Sequence, residues 1–214
     1  MKKLTIFVMT VLLLLASVLT GCRSNVPQDT TGSIAPSTTV PPTTTVPPTG
    51  TQGGEADTEA TVQLLQSIWD KYGDDERFAA YGGAVENSVS DAPGGLDVTN
   101  AEEMTTRYLI PQEQLASVQE AASLVHMMNS NIFTGVAVKL AEGTDAKAMS
   151  AAWRDAIQSN RWICGQPDRL LMADVGEGYM VMVFGSADAI KLFSDKLTEV
   201  YPEAKVLYDE AIVS

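Results

Sequence analysis

Leu170-Leu171-Met172-Ala173-Asp174-Val175-Gly176-Glu177-Gly178-Tyr179-Met180-Val181-Met182-Val183-Phe184 decides the fold. Two short apolar runs flank a Gly-Glu-Gly turn, which is the pattern of a hairpin with strands at 170–175 and 179–184. In a strand, successive side chains point to opposite faces. Tyr179, Val181 and Val183 then share one face, and Met180, Met182 and Phe184 share the other. Neither set is polar, so this strand is predicted to be covered on both sides.

Working outward, residues 131–140 read as a strand. Thr144 or Asp145 caps a helix running to about Trp162, with Met149, Trp153, Ala156 and Ile157 on one stripe. After the hairpin, Ser186 caps a helix carrying Ile190, Phe193, Leu197 and Val200. Pro202 follows its end, and residues 204–208 give a last strand. The order β-α-β-β-α-β predicts an α+β fold of ferredoxin-like, antiparallel plan. The term refers to topology alone, because iron–sulfur cysteines are lacking.

That plan places helices on one face only, so a second cover is needed. Two extra N-terminal helices are expected to supply it. The first spans 58–72, capped by Asp57 or Thr58, with Val62, Leu65, Ile68, Trp69 and Tyr72 at helical spacing before Gly73. The second spans 111–128, opened by Pro111, with Leu115, Val118, Ala122, Leu124, Val125 and Met128 as its apolar set. A homodimer or partner surface is the competing expectation. Residues 73–106, with Gly82-Gly83 and Pro93-Gly94-Gly95, read as a long irregular loop of the kind that often carries function.

The first 57 residues follow different rules. Lys2-Lys3 is a charged start, and residues 4–18 are apolar, a length that fits a signal peptide and falls short of a spanning helix. Leu19-Thr20-Gly21-Cys22 then resembles a lipobox. The resemblance implies cleavage before Cys22 and a diacylglyceryl group on its sulfur, and two acyl chains hold a protein stably at a bilayer. Residues 1–21 are therefore expected to be a lipoprotein signal peptide. Residues 22–57 are expected to be the lipidated cysteine and a disordered stalk rich in Thr and Pro, with Thr-Thr-Val-Pro-Pro twice in tandem. Proline fixes φ, removes donors and favours extended polyproline II, so no core forms there. Residues 58–214 remain as a single α+β domain.

The chain carries 14 Lys+Arg against 27 Asp+Glu, a formal charge of −13. Loss of residues 1–21 would remove Lys2 and Lys3 and no acid. Such a surface repels phosphate backbones, which excludes nucleic acid as a partner, and it offers anionic lipid no electrostatic attraction. Membrane contact is then expected through the lipid on Cys22, with an envelope protein as the candidate partner. With Cys22 acylated, Cys164 lacks an intramolecular disulfide partner.

Each chemical candidate has a plainer reading. His126 is the only histidine, and it reads as an ordinary residue near a helix end. Cys164 reads as a small buried hydrophobe. His126-Met127-Met128 with Met180 and Met182 would suit a soft metal, but these methionines fall at apolar positions and read as core. Asp70, Asp74, Asp75 and Glu76 lack EF-hand spacing and read as a solvated acidic loop. Gly82-Gly83 and Gly94-Gly95 do not join a strand to a helix, so they do not suggest a nucleotide site. The expectation is no catalytic set, no metal and no cofactor.

Arg107-Tyr108-Leu109-Ile110-Pro111, Met127-Met128-Asn129 before Val136-Ala137-Val138, and Gly178-Tyr179-Met180-Val181-Met182-Val183 carry a resemblance over residues 64–214. In these pieces the chain resembles a family of uncharacterised lipoproteins of spore-forming and gut Firmicutes. The family carries a domain of unknown function behind a lipobox and polar linker. The resemblance implies display at the cell surface of a Gram-positive bacterium and carries over no site residues. The expected role is a non-enzymatic, membrane-anchored protein-binding or accessory module. The alternative is a small-ligand-binding domain that uses the 73–106 loop.

Overall fold

The structure is a computed structural model, and it describes residues 59–213. The expected signal peptide at 1–21, Cys22, the Thr/Pro-rich stretch to 57 and the expected cap at Asp57 or Thr58 lie outside the described residues. The order is α1 (Glu59–Trp69), β1 (Ala80–Gly82), β2 (Val89–Ser90), β3 (Gly94–Gly95), α2 (Ala101–Thr106), β4 (Val118–His126), β5 (Phe133–Leu140), α3 (Ala146–Gln158), β6 (Arg169–Gly176), β7 (Tyr179–Gly185), α4 (Ala187–Val200) and β8 (Lys205–Ala211). Short 3-10 turns lie at Val85–Asn87 and Gln112–Ser117.

The strands form one eight-stranded antiparallel sheet in the order β2-β1-β4-β5-β7-β6-β8, with β3 paired to β4 off this path. The hairpin expected over 170–184 is present. Gly176 pairs with Tyr179 across two turn residues, and both have positive φ, 53° at Glu177 and 79° at Gly178. This is the type I′ signature, whose twist matches that of the strands.

The β-α-β-β-α-β order is present from β5 to β8, but the sheet order differs from the ferredoxin-like plan. There the last strand returns beside the first. Here β8 lies beside β6, and β4 occupies the place next to β5. The crossovers β5–α3–β6 and β7–α4–β8 each skip one strand in the same direction along the sheet. Because β5 and β7 run antiparallel, two right-handed crossovers of this kind put their helices on opposite faces.

The two cores have this arrangement. On one face Met149, Trp153 and Ile157 of α3 pack with Met180, Met182 and Phe184 of β7, and Met104 and Tyr108 extend that core. On the other, Leu65, Ile68 and Trp69 of α1 join Ile190, Phe193 and Leu197 of α4 over Val181 and Val183. Both faces of β7 are thus covered, as its residues required. The cover is one helix of each crossover per face, with α1 beside α4, rather than two N-terminal helices opposite α3 and α4.

The second N-terminal helix expected at 111–128 is not there. The segment is a 3-10 turn followed by β4. Ala121 and Val125 enter the α3-side core, while Ala122 and Leu124 enter the other. A short run buried on both faces has no strand alternation to display, and its alanines favour helix in isolation.

The 73–106 segment is also more ordered than a loop, holding β1, β2, β3 and α2. Its glycines serve close packing. A Cβ on Gly82 would collide with the backbone N of Gly94 and the carbonyl oxygen of Ser123. Beside this contact, Ser123 Oγ accepts from Gly83 N at 3.0 Å and lies 3.1 Å from the Tyr108 hydroxyl. Burial holds that phenol above its ordinary value, so it stays a neutral hydrogen-bonding group.

Candidate functional site

Four side chains in one line across the sheet form the floor of a cleft. Tyr81 pairs in register with Val125, Val125 with Thr134, and Thr134 with Phe184. Register partners share a face, and Val125 and Phe184 mark it as the α3 side. Val125, Thr134 and Phe184 are buried and Tyr81 is half-buried, while on this side α2 stops at Thr106 and α3 at Gln158. The segments just beyond them, with Arg107 and Leu109 in one and Arg161 and Trp162 in the other, line a cleft of about 390 Å³.

The first wall is tightly held. Arg107 donates to the Tyr81 hydroxyl at 2.5 Å and pairs with the Glu103 carboxylate at 3.2 Å. Its guanidinium also lies over the rings of Tyr81 and Tyr108, at 5.8 and 5.7 Å from their centroids. Glu103 is fixed in turn by the Val85 backbone N–H and the Asn100 side chain. Tyr108 anchors the chain below, its carbonyl accepting from Trp153 Nε1 at 2.8 Å. Leu109 then adopts φ 56°. Left-handed backbone at a bulky residue is costly and persists only where the surroundings enforce it. It reverses the chain so that Ile110 N–H reaches the Met104 carbonyl at 3.1 Å.

The second wall is looser. Trp162 packs on Phe184 with ring centroids 5.1 Å apart. Its indole N–H is out of water with no hydrogen-bond partner among the described residues. Arg161 is exposed and makes no ion pair among the described residues. The Asn131 side-chain amide donates to the carbonyls of Ile163 and Gly165, tying this wall to the β4–β5 loop.

The cleft lining contains two arginines and no Asp or Glu. Acids outnumber bases 27 to 14 in the chain, so a carboxylate-free concavity goes against the general charge. Arg107 already has its counter-ion. Arg161 supplies the free charge, and the half-buried Tyr81 and Trp162 rings supply apolar surface.

No protein-family model matches the chain, and no curated protein or solved structure is significantly similar to it. The reading of function therefore rests on the residues themselves.

The residues singled out in the sequence are not brought together. His126 closes β4 rather than a helix. Its Nδ1 accepts from the backbone N–H groups of Met128 and Asn129 at 3.2 and 3.3 Å, and its ring stacks on Phe78. Cys164 is exposed at φ 66°, not a buried hydrophobe. It lies beyond the end of α3, where the chain has left the core. Met127 and Met128 are likewise exposed in the β4–β5 loop, whereas Met180 and Met182 are core. Of the acidic run, Asp70 lies 3.8 Å from Arg77 and Glu76 lies 2.8 Å from Lys196. Among the described residues no three of His, Cys, Asp and Glu group closely enough to hold a metal ion.

Tyr81 comes from the 73–106 segment, but Arg107, Arg161 and Trp162 were not marked as a site. The available signal was the pair of Arg-aromatic dipeptides, Arg107-Tyr108 and Arg161-Trp162, each just past a helix in an acidic chain.

Proposed function

We propose that this chain is an extracytoplasmic lipoprotein, held at the cell membrane by acylation of Cys22. Its α+β domain acts as a non-enzymatic binding module, and its ligand is a small molecule taken up in the cleft between Arg107 and Arg161. The observation that carries the ligand reading is the carboxylate-free cleft itself. Its volume, about 390 Å³, lies within the range of small-molecule sites, and its mix of rings and a few convergent polar groups is what such sites use. The anchor rests on the Leu19-Thr20-Gly21-Cys22 motif after a charged and apolar start. It also accords with the resemblance to Firmicutes surface lipoproteins.

A second reading, docking of an envelope protein, draws on Met128 and Ile163. Each is 81% exposed, and they lie in two loops that Asn131 ties together. Exposed apolar side chains can mark surfaces that bind other proteins, and methionine is enriched at such interfaces.

Anchoring is tested by metabolic labelling with an alkyne fatty acid. Wild type is expected to incorporate the label and sediment with membranes. Cys22→Ala should lose the label and appear in the soluble fraction. An unlabelled wild type, or a variant still labelled, would contradict the anchor. In-cell crosslinking separates the two binding readings, since one dominant protein adduct through Ile163 would favour docking.

A further inference from the structure

We infer that the cleft takes a small organic anion, a carboxylate or phosphate attached to a flat or cyclic body, with Arg161 as the charge that recognises it. This deepens the small-ligand reading above and rests on it.

Three observations converge. The first is the charge arrangement. Of the two cleft arginines, Arg107 is held by Glu103 and Tyr81, whereas Arg161 has no ion pair among the described residues. A guanidinium is a planar fork that matches carboxylate and phosphate oxygens two at a time. Most other basic side chains described, Lys71, Arg77, Arg154, Arg169, Lys191 and Lys196, are matched to acids. An unmatched arginine at a cleft that has excluded carboxylates is therefore a counter-charge without an internal partner.

The second is the unsatisfied donor. Trp69 Nε1 donates to the Asp91 carbonyl and Trp153 Nε1 to the Tyr108 carbonyl. Trp162 Nε1 alone of the three lacks an acceptor among the described residues. A buried N–H without an acceptor is costly, so the wall beside Arg161 would gain from an oxygen-rich ligand. The third is the apolar lining. The half-buried rings of Tyr81 and Trp162 line the cleft and can meet the rest of the ligand, with Phe184 buried beneath Trp162. Arg107 is itself stacked on Tyr81, so that wall is already shaped without ligand.

Arg161 belongs to the one wall that the protein does not pin by charge. It is held through Asn131 and by Trp162 on Phe184. A small ligand adjustment there would leave the sheet untouched.

The experiment is a titration of the full chain in mild detergent, with the tryptophan indole nitrogens labelled with ¹⁵N. The three indole signals are assigned with Trp162→Phe. Probes are benzoate, phenyl phosphate, inorganic phosphate and benzamide, which is the neutral isostere of benzoate. Benzoate or phenyl phosphate is expected to move the Trp162 signal saturably, with benzamide at least tenfold weaker. Arg161→Gln should weaken the anions tenfold or more, while Lys205→Gln, a charge loss on β8, should leave them unchanged. Preference between benzoate and phenyl phosphate distinguishes carboxylate from phosphate recognition. Equal binding of benzamide would overturn the anion assignment and leave the small-ligand cleft standing. No movement of the Trp162 signal with any probe would overturn both. Equal loss in Lys205→Gln would reduce the effect to general charge and overturn the role of Arg161.

Discussion

At the scale of single residues, fixed backbone contacts position the cleft more than side-chain chemistry does. Gly82 lets β1 lie against Gly94 and the Ser123 carbonyl with no room for a Cβ. This close approach sets Tyr81 over Arg107. Gly82→Ala is therefore expected to cost about 3 kcal/mol, at the upper end for overpacking, because the obstructing atoms are main chain. Urea unfolding of the variant measures it, and a loss under about 0.5 kcal/mol would mean that the β1–β3 contact can relax. In the sequence Gly82-Gly83 and Gly94-Gly95 read as parts of a long irregular loop and do not suggest a nucleotide site. That the two pairs meet is not legible there, since close approach of backbones 12 residues apart leaves no periodic trace.

At the scale of elements, the parts legible in the sequence were those with a single dominant signal. Asp145 accepts from the N–H groups of Lys147 and Ala148 at the start of α3, and Ser186 from that of Ala189 at the start of α4. Both caps were readable beside apolar stripes of helical period. The hairpin was readable from glycine flanked by β-branched and apolar runs. β4 was not, because Ala121, Ala122, Leu124 and Val125 are buried from two sides and suit either period. The misplaced β8 has a different cause. Element order alone does not say which way a crossover travels, and the space beside β5 was already taken by the unrecognised β4. Trp162 reads in the sequence as the end of the helix after Asp145, and the cleft beside it is not legible because the register row beneath it is drawn from β1, β4, β5 and β7.

The hairpin also gives an element-scale test. Glu177 holds φ 53° at the first central position of the turn, where a non-glycine residue pays a steric penalty that asparagine largely escapes. Glu177→Asn is expected to stabilise the protein by about 0.5–1 kcal/mol. Its backbone carbonyl, which accepts from Lys139 Nζ, is retained. A lower melting temperature in the variant would contradict the type I′ assignment.

At the scale of the whole molecule, three ion pairs tie together elements distant in sequence. Glu76 pairs with Lys196 and Glu199 with Lys71, joining α4 to the end of α1 and the turn after it, and Glu210 pairs with Arg154, joining β8 to α3. The hydrogen bonds from Lys196, Lys71 and Arg154 hold these carboxyls below their ordinary value of 4.5. A depressed folded value contributes stability that is complete above the ordinary value and lost as pH falls through the folded one. The melting temperature is accordingly expected to hold near neutrality and to drop once the pH falls below about 4.5, with Glu210→Gln flattening part of that drop. The rises at Lys196 and Arg154 act in the opposite sense and only at strongly alkaline pH. A melting temperature unchanged down to about pH 3 would show that the pairs contribute nothing.

The central claim is that a small molecule occupies the cleft in the living cell. The most direct test places a photo-crosslinking amino acid at Asn160, which lines the cleft, and reads the intact mass of the chain recovered from irradiated cells. A discrete adduct of small-molecule mass is expected, diminished when Arg161→Gln is combined with it and absent when the crosslinker sits at Lys205. A protein-sized adduct, or the same adduct from both positions, would contradict it.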